Sequence, residues 1–389
     1  MPALKPLRYF TFHLAVVACG VAAGQPAMVE RTDVFVAGRD GVYEYRIPGL
    51  VTTTKGTLLA FCDARMRQAG DPPNKINLVL KRSTDAGKTW SPLQTLAENG
   101  AGAVADSCGV VDRETGTVWI FSVYAPEGVG SYNAARGLTG ATFFYKAVKS
   151  DDDGVTWSPP IDVTAMVKKP EWSAGSTGVG RGIQLRSGRL MVPRYHAAYH
   201  AGSTTPDSSV SYVSYSDDHG KTWRIGGEAQ WPGGTNECQL AELADGSLLF
   251  NLRGVQGNQR KIARSRDGGL TWTELHEDAA LIEPRCQGSL QGFTDTIAHD
   301  RNRLLFANPA SLERKNMTVR LSYDGGETWP VGKQLHAGPA AYSCLTILAD
   351  LTAACLYEAG ENKAYEKISF VRFNVEWLTD GKDAVAAKR

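Results

Sequence analysis

The sequence predicts an all-β protein whose strands form a radial array of small sheets, and two observations support this fold class. An octapeptide of the form Ser-x-Asp-x-Gly-x-Thr-Trp occurs five times, beginning at residues 83, 150, 216, 265 and 322. Repeats separated by about 50 to 70 residues are typical of propeller blades or stacked arrays. Short β-type segments lie between the octapeptides, and helical periodicity is scarce before Trp377, which disfavours a parallel α/β fold.

Each octapeptide has the composition of a structural turn. In STDAGKTW, Asp85 can accept hydrogen bonds from turn amides, Gly87 tolerates a positive φ, and Thr89 re-enters a strand. Trp90 is a large apolar group suited to packing between neighbouring sheets. We therefore expect the octapeptide aspartates to fasten sheets together and to take no part in catalysis.

The segments between the octapeptides read as short strands, and many follow a turn signal such as Asp-Gly, Ser-Gly or Arg-Asn. In chain order they are GTLLAFCDAR, GTVWIFSVY, GRLMVPRYH, GSLLFNLR and NRLLFANPAS. Their regular placement favours a sheet array over isolated hairpins.

Composition restricts the class of protein. The chain has 389 residues, of which 42% are hydrophobic and 21% charged, as expected for a globular protein with one large repeat domain or two ordinary ones. The formal net charge is +1. The chain has no excess of basic residues that would predict a nucleic-acid or polyanion partner. Any recognition of negative charge must therefore come from a few specifically positioned residues.

The first 24 residues resemble an export signal. Lys5 and Arg8 supply a basic start, and the short apolar stretch 11–24 ends in small residues. This stretch is too short for a membrane span. Two kinds of processing remain open: cleavage near Ala23, or lipid attachment at Cys19 within VVAC, which resembles a bacterial lipobox. We expect an exported protein, secreted, periplasmic or on the outer surface; the alternative is a buried N-terminal helix.

Six cysteines remain after Cys19, and they could pair in about fifteen ways. No close Cys-x-x-Cys spacing suggests zinc or redox chemistry, and several of the six lie within apolar strand-like segments. We expect most of them to be buried free thiols.

A second motif, YEYRIPGL at residues 43–50, points to a family. It resembles the Arg-Ile-Pro signature of sialidases, and the octapeptides resemble the Asp boxes of the same family. The resemblance covers nearly the whole mature chain. It implies a six-bladed β-propeller of four-stranded antiparallel blades over residues 28–378, a tail at 379–389, and Asp boxes on the face away from the active site. Asp boxes also occur in other propellers, so the function has to be inferred from other residues.

Three arginines are candidates to bind a carboxylate, because a guanidinium presents a planar fork that matches one. The resemblance implies that Arg46 is the first, and Arg253 and Arg314 match the second and third positions. Arg314 lies eight residues before an octapeptide, and at about 3.3 Å per residue that is enough to cross a blade. Arg320 is the rival, but it precedes the octapeptide by only two residues and should lie at the wrong end.

Tyr342 in GPAAYSCLTIL is the candidate nucleophile, and Glu237 in GGTNECQLAEL is its candidate base; both match the family pattern. Glycosidases of this family use a tyrosine in place of a carboxylate nucleophile. Sialic acid carries a carboxylate on its anomeric carbon, so an anionic nucleophile would be repelled. A phenol is neutral until a base takes its proton, and a free tyrosine with a pKa of about 10 needs that base.

The segment FCDARMRQAGDPPNK supplies the remaining catalytic carboxylate. Asp71 lies in a Gly-Asp-Pro-Pro loop, which suits an acid that must approach a glycosidic oxygen and exclude water. It also matches the family's loop aspartate. Asp63 follows a strand and is expected to be a structural hydrogen-bond acceptor. Arg65 resembles an arginine that contacts the sugar's 4-hydroxyl.

Two further residues follow from the resemblance. Glu358 in CLYEAG matches a glutamate that orients the first arginine, and Asp106 in VADSCGVVD resembles a substrate-contacting aspartate. The sequence departs from the family pattern at Ser107, where proline is commoner. It departs again at STGVGRGIQL, where Arg181 or its neighbours would alter the glycerol or acetamide pocket.

These residues lead us to expect an exported, retaining exo-sialidase that removes terminal N-acetylneuraminic acid from glycoproteins, gangliosides and sialyl-oligosaccharides without a metal or organic cofactor. Two alternatives remain. A transferase would pass the sugar to another sugar or to its own hydroxyl, and a glycan-binding propeller would bind without turnover. The second would have no use for Asp71 or for a tyrosine–glutamate couple.

Overall fold

The computed structural model describes residues 25–199, 203 and 206–387. The proposed export signal and Cys19 lie outside this range, as do the last two residues of the predicted tail. Within it the chain forms 25 strands and two four-residue helices, so the all-β prediction is confirmed. In the same range no helix is long and apolar enough to cross a membrane.

The first thirteen strands are β1 (Val29–Val36), β2 (Glu44–Thr52), β3 (Leu58–Arg65), β4 (Ile76–Ser83), β5 (Gln94–Ala97), β6 (Ala103–Val111), β7 (Val118–Ala125), β8 (Phe144–Ser150), β9 (Ile161–Asp162), β10 (Gly175–Thr177), β11 (Gly180–Arg181), β12 (Ile183–Gln184) and β13 (Leu190–Ala198). The others are β14 (Ser208–Ser216), β15 (Arg224–Ala229), β16 (Thr235–Glu242), β17 (Leu248–Gly254), β18 (Gln259–Ser265), β19 (His276–Ile282), β20 (Ser289–Thr294), β21 (Arg303–Pro309), β22 (Lys315–Ser322), β23 (Val331–Ile347), β24 (Ala353–Ala359) and β25 (Lys367–Phe373). The helices are α1 (Thr164–Val167) and α2 (Val375–Leu378).

Strands that are consecutive in the chain pair antiparallel in short meanders. These are β2 to β5, β6 to β9, β13 to β15, β16 to β19, and β20 to β23. Strands β10 and β12 both lie along the free edge of β13. The long strand β23 belongs to two sheets, since residues 331–339 pair with β22 and residues 340–347 pair with β24. The last sheet is completed from the other chain end, because β1 pairs with β25.

The first strands of these meanders and the second half of β23 contact one another in a cycle. Contacts run from β2 to β6, from β6 to β13, and then to β16, β20, β23 and back to β2. The apolar core lies between neighbouring sheets as a series of separate clusters. Five of these clusters each receive the tryptophan of a different octapeptide: Trp90, Trp157, Trp223, Trp272 and Trp329.

The octapeptides form the turns that their composition predicts. In the first, Asp85 Oδ1 accepts from the Thr89 amide (2.9 Å) and Oδ2 accepts from its hydroxyl (2.6 Å), while Gly87 has a φ of 89°. These bonds to Thr89 hold the pKa of Asp85 at about 2. The same pair of bonds recurs in the other four copies. The octapeptide aspartates are therefore fully occupied as turn acceptors.

The register of the strands separates two ends of the molecule. Leu58, at the start of β3, pairs with Ser83 of the first octapeptide, whereas Arg65, at its other end, pairs with Glu44. Arg46 therefore lies at the end of the sheet away from the octapeptide. Candidate site residues on the inner strands share this end, which we call the near end; the octapeptide turns lie at the far end.

The six cysteines within the described range are buried and unpaired, as expected: Cys62, Cys108, Cys238, Cys286, Cys344 and Cys355. Burial raises the pKa of each thiol, which keeps it protonated. They behave as small apolar core residues.

Candidate active site

Tyr342 and Glu237 meet at the near end. The Tyr342 hydroxyl donates to Glu237 Oε1, although the two residues are 105 positions apart, on β23 and β16. Arg253 on β17 donates from Nη1 to both partners, to the Tyr342 hydroxyl at 3.0 Å and to Glu237 Oε2. Burial and the charge of Glu237 raise the pKa of Tyr342 well above its usual value, with Arg253 and Arg46 opposing. The phenol is therefore neutral at rest and in contact with a base.

Glu358 on β24 joins Arg46 to the backbone of Tyr342. Its Oε1 accepts from Arg46 Nε (2.6 Å) and from the Ile47 amide (2.8 Å), and its Oε2 accepts from the Tyr342 amide (2.9 Å). Glu358 is completely buried. Burial opposes the charged form of Arg46, but Glu358 and two tyrosines outweigh it and hold the pKa above its usual value. The predicted role of Glu358 as the partner of Arg46 agrees with this geometry.

The local sequence explains how Arg46 leaves the sheet. The β2–β3 register shifts between Arg46 and Gly49, and Ile47 adopts a φ of 60°, which is strained for a β-branched residue. A Cβ at Gly49 would lie only 2.0 Å from the Phe61 ring, so glycine is required there. Arg-Ile-Pro-Gly is thus a β-bulge that turns the arginine towards the near end.

Arg314 completes the cluster of cations around Tyr342. Its guanidinium carbon lies 5.5 Å from the centre of the Tyr342 ring, and that of Arg46 lies 5.2 Å from the same ring. Arg314 Nη1 also donates to the Tyr365 hydroxyl at 2.7 Å, and Arg46 stacks on the Tyr365 ring at 3.9 Å. The rival Arg320 pairs with Phe306 near the octapeptide end of its strand and donates to Asn308 at 2.9 Å.

Asp71 lies at the edge of the cluster. Its side chain is 78% exposed and accepts a hydrogen bond from Arg65 Nη2, while Arg65 Nη1 lies 3.4 Å from Glu44 Oε2. Arg65 itself is buried at the end of β3. Asp71 is therefore anchored by a buried arginine but remains open to solvent.

Asp106 lies near three other carboxylates, those of Asp63, Asp71 and Glu237. Its amide donates to buried Asp63 at 3.0 Å, and its φ is 55°, a conformation that aspartate tolerates better than most residues. Burial raises the pKa of Asp106 to about 7, with further contributions from the charges of Asp71 and Glu237. Asp63 is a buried acceptor, as expected, and burial together with Asp106 raises its pKa.

Two tyrosines of this cluster were not predicted from the sequence. Tyr365 follows β24 in a loop without a recognisable motif, yet it contacts both Arg46 and Arg314. Tyr195 lies on β13, where burial and the charges of Asp106, Glu237 and Tyr342 raise its pKa. The alternation of GRLMVPRYH marks that segment as a strand, but only the register shows which end reaches the site.

Arg181 does not lie in this cluster. It lines a cavity with Thr52, Val110 and Thr346, at the far ends of β2, β6 and β23. The expectation was therefore wrong for Arg181 itself, whereas its neighbour Thr177 does lie beside Asp106 and donates from its hydroxyl to the Asp106 carbonyl at 2.5 Å. β11 pairs with β6 at Cys108 and Gly109, beyond Asp106, so the chain has already passed the site when it reaches Arg181.

Comparison with known proteins gives a consistent family. The model of the BNR repeat-like domain matches residues 56–354. A sialidase of Micromonospora viridifaciens is 36% identical over 94% of this chain and 56% of the relative, and one of Bacteroides fragilis is 36% identical over 83% and 61%. Mouse Sialidase-2 is 30% identical over 87% of this chain and 94% of its own length. The chain thus spans 56% and 61% of the two bacterial relatives.

The solved structures that resemble this chain include members of the same family. The Hadza microbial sialidase Hz136 matches with a TM-score of 0.82 and 34% identity, over 90% of this chain and 69% of that one. The intramolecular trans-sialidase of Ruminococcus gnavus shares the fold, with a TM-score of 0.78 at 22% identity over 89% and 98%. The matches in sequence and fold extend over most of the chain. This protein belongs to the sialidase family.

Proposed function

We propose that this protein is a retaining exo-α-sialidase that hydrolyses terminal sialic acid from glycoproteins, glycolipids and oligosaccharides. The observation that supports this most directly is the hydrogen bond from the Tyr342 hydroxyl to Glu237, within the cluster formed by Arg46, Arg253 and Arg314. A phenol beside a base and beneath cations suits a substrate that carries a carboxylate on its reacting carbon.

In this proposal the three arginines bind the substrate carboxylate. Arg46 is held by Glu358 and stacked on Tyr365, and Arg314 is held by the Tyr365 hydroxyl, so both guanidinium groups are fixed before substrate arrives. Fixed donors lose little entropy on binding and orient the sugar as well as neutralising it. The anomeric carbon, which bears the carboxylate, then lies near the Tyr342 oxygen. Arg65 and Asp106 are assigned to the sugar's hydroxyl and amide substituents.

The first chemical step forms a bond between the Tyr342 oxygen and the anomeric carbon. Glu237 Oε1 takes the phenol proton, and Asp71, entering as the acid, gives its proton to the leaving oxygen as the glycosidic bond breaks. In the second step Asp71 removes a proton from water, which attacks the anomeric carbon. Tyr342 leaves and recovers its proton from Glu237. Two displacements at one carbon retain its configuration.

Membership of the family also leads to proposals about the fold, the domain bounds and export. We propose that the meanders are the four-stranded blades of a six-bladed β-propeller, with residues 28–378 as the catalytic domain and 379–389 as a tail. We also propose export through residues 1–24, with Cys19 a candidate for lipid attachment. The cycle of contacts between first strands supports the propeller.

Transfer in place of hydrolysis is the second candidate, because two proteins that share this fold are intramolecular trans-sialidases. The two outcomes differ only in what attacks the tyrosyl intermediate. NMR of the products from 3′-sialyllactose separates them: free sialic acid, first released as the α-anomer, indicates retaining hydrolysis, whereas an anhydro-sugar or a new sialoside indicates transfer. A glycan-binding propeller would release nothing.

The test compares three variants on two substrates: a fluorogenic sialoside with an activated phenol leaving group, and 3′-sialyllactose. Tyr342→Phe should lower kcat on the order of 10³-fold or more while the sugar still binds. Asp71→Ala should lower turnover of 3′-sialyllactose by about 10²–10⁴-fold but affect the activated phenol leaving group much less. The control is Tyr215→Phe, a buried ring at the far end, which should leave activity unchanged. Full activity of Tyr342→Phe would refute the proposal.

A further inference from the structure

A second cation-lined cavity lies at the far end of the molecule. It has a volume of about 480 Å³ and is lined by the ends of inner strands, including Thr52, Arg181, Gln184 and Thr346. A neighbouring cavity of about 340 Å³ shares Arg113, Arg181 and Gln184 with it. Thr346 follows Tyr342 by four residues on β23, which separates this cavity from the candidate nucleophile by about 13 Å of strand.

Two arginines face this space without a counter-charge. Arg113 Nη2 donates to the carbonyl of Gln184 (3.0 Å), and Arg181 Nη1 makes only a long contact with the carbonyl of Leu290 (3.4 Å). Among the residues that the structure describes, neither arginine forms an ion pair with a carboxylate. The nearby acids are engaged elsewhere: Glu242 and Asp295 face Arg186.

The environment of Arg181 disfavours its charge. Burial and the neighbouring charge of Arg113 lower its pKa, while the cysteines beside it, Cys108 and Cys344, are neutral thiols that supply no counter-charge. Arg46 and Arg260, which are more deeply buried, each have a glutamate partner, whereas Arg181 is partly buried and Arg113 is exposed. A partly desolvated guanidinium without an anion gains from any complementary charge that can reach it.

We propose that this far-end cavity binds a small oxyanion, either a carboxylate or a phosphate, between Arg181 and Arg113. The fork of each guanidinium suits two oxygens of such an anion. The hydroxyls of Thr52 and Thr346, which bond each other at 2.9 Å, line the same cavity and can offer one further donor. The net charge of +1 provides no broad positive field, so binding at this place depends on these two side chains. The inference does not rest on the proposed function.

Selenate-soaked crystals of the full chain provide the test, because selenium gives an anomalous signal that locates the anion. We expect one peak between Arg181 and Arg113 and a second at the Arg46, Arg253 and Arg314 cluster. Arg181→Met should lose the first peak and keep the second, which reports that the protein is folded and that the soak succeeded. A near-end peak without a far-end peak in the unmodified protein would overturn the inference.

Calorimetric titration at constant ionic strength, with inorganic phosphate in one arm and acetate in the other, identifies the anion class. The unmodified protein should bind phosphate or acetate at two sites. In Arg181→Met and in Arg113→Met, the affinity at one of these sites should fall at least about tenfold. The second variant keeps the test valid should the first fail to fold. The control is Arg266→Met, whose side chain is 83% exposed, and it should bind as the unmodified protein does. Unchanged binding in both cavity variants would contradict the inference.

Discussion

At the scale of single residues, Glu358 determines the position of both halves of the site. One oxygen holds Arg46 and the other holds the backbone amide of Tyr342, so the proposed carboxylate ligand and the proposed nucleophile share one buried acid. Removing one partner of a buried pair typically costs about 3–5 kcal/mol, because the other charge is left without compensation. In the proposed function, the Glu358 side chain therefore links substrate binding by Arg46 to the position of Tyr342.

Asp106 gives a prediction for the pH dependence of stability. Its folded pKa of about 7 lies above the ordinary value of 3.8, so the folded protein holds this proton more tightly than the unfolded chain does. The resulting stabilisation is fully present below pH 4 and is lost as the pH rises to about 7. Asp106→Asn should remove this slope, which amounts to on the order of 2–4 kcal/mol between pH 4 and pH 8.

Urea unfolding at several pH values measures that slope. The appropriate control is Asp217→Asn, since Asp217 is half exposed and pairs with Arg189 at the far end. If the unmodified protein and Asp106→Asn show parallel stability curves from pH 4 to pH 8, the raised pKa of Asp106 is not present in the folded state.

At the scale of elements, the loop between β3 and β4 depends on Gly130. A Cβ at this glycine would lie 2.6 Å from the Pro72 carbonyl and 2.7 Å from Pro73 Cδ, so Gly130→Ala must displace the loop that carries Asp71. We expect kcat/KM for 3′-sialyllactose to fall about tenfold or more, because a displacement near 1 Å is costly for a positioned catalytic group. An activated phenyl sialoside, which needs little acid assistance, should be affected less.

Gly128→Ala is the matched control for that comparison. Gly128 lies in the same segment, and its added Cβ would meet no atom within 4 Å, although its φ of 76° makes the change mildly strained. It should lower stability by about 1 kcal/mol and leave the ratio of the two substrates unchanged. Equal losses on both substrates in Gly130→Ala would show that the glycine does not act through Asp71.

The elements also show what the sequence can and cannot predict. The octapeptide turns were predictable because all their hydrogen bonds are local, between Asp85 and Thr89 in the first copy. Arg46, Glu237 and Tyr342 were predictable only as members of a family pattern, since hundreds of residues separate them. Tyr195, Tyr365 and Arg181 were missed or misplaced because strand register and loop path decide which end of a sheet a side chain reaches.

At the scale of the whole molecule, the two chain ends close the structure. β1 pairs with β25, and the side chain of Phe35 on β1 is completely buried among residues of the first and last sheets. The described part of the predicted tail also packs onto the body, since Asp383 binds Arg303 through both oxygens, at 2.7 and 2.8 Å. Residues beyond 378 therefore contribute to the fold.

Phe35→Ala should weaken this closure. Truncating a fully buried phenylalanine costs about 3–5 kcal/mol, so Tm should fall by several degrees in a single transition that includes all sheets. The control is Val155→Ala, an exposed position in the second octapeptide, which should change stability by less than about 0.5 kcal/mol. An unchanged Tm in Phe35→Ala would show that β1 is not part of the cooperative unit.

The central claim is that Tyr342 attacks the sugar, and trapping the intermediate tests it most directly. A 2,3-difluoro sialic acid derivative should label the protein once, since fluorine slows the second displacement more than the first. Peptide mass spectrometry should place the added sugar on the peptide that contains Tyr342, and Tyr342→Phe should not be labelled. An adduct on any other peptide, or labelling that persists in Tyr342→Phe, would contradict the account.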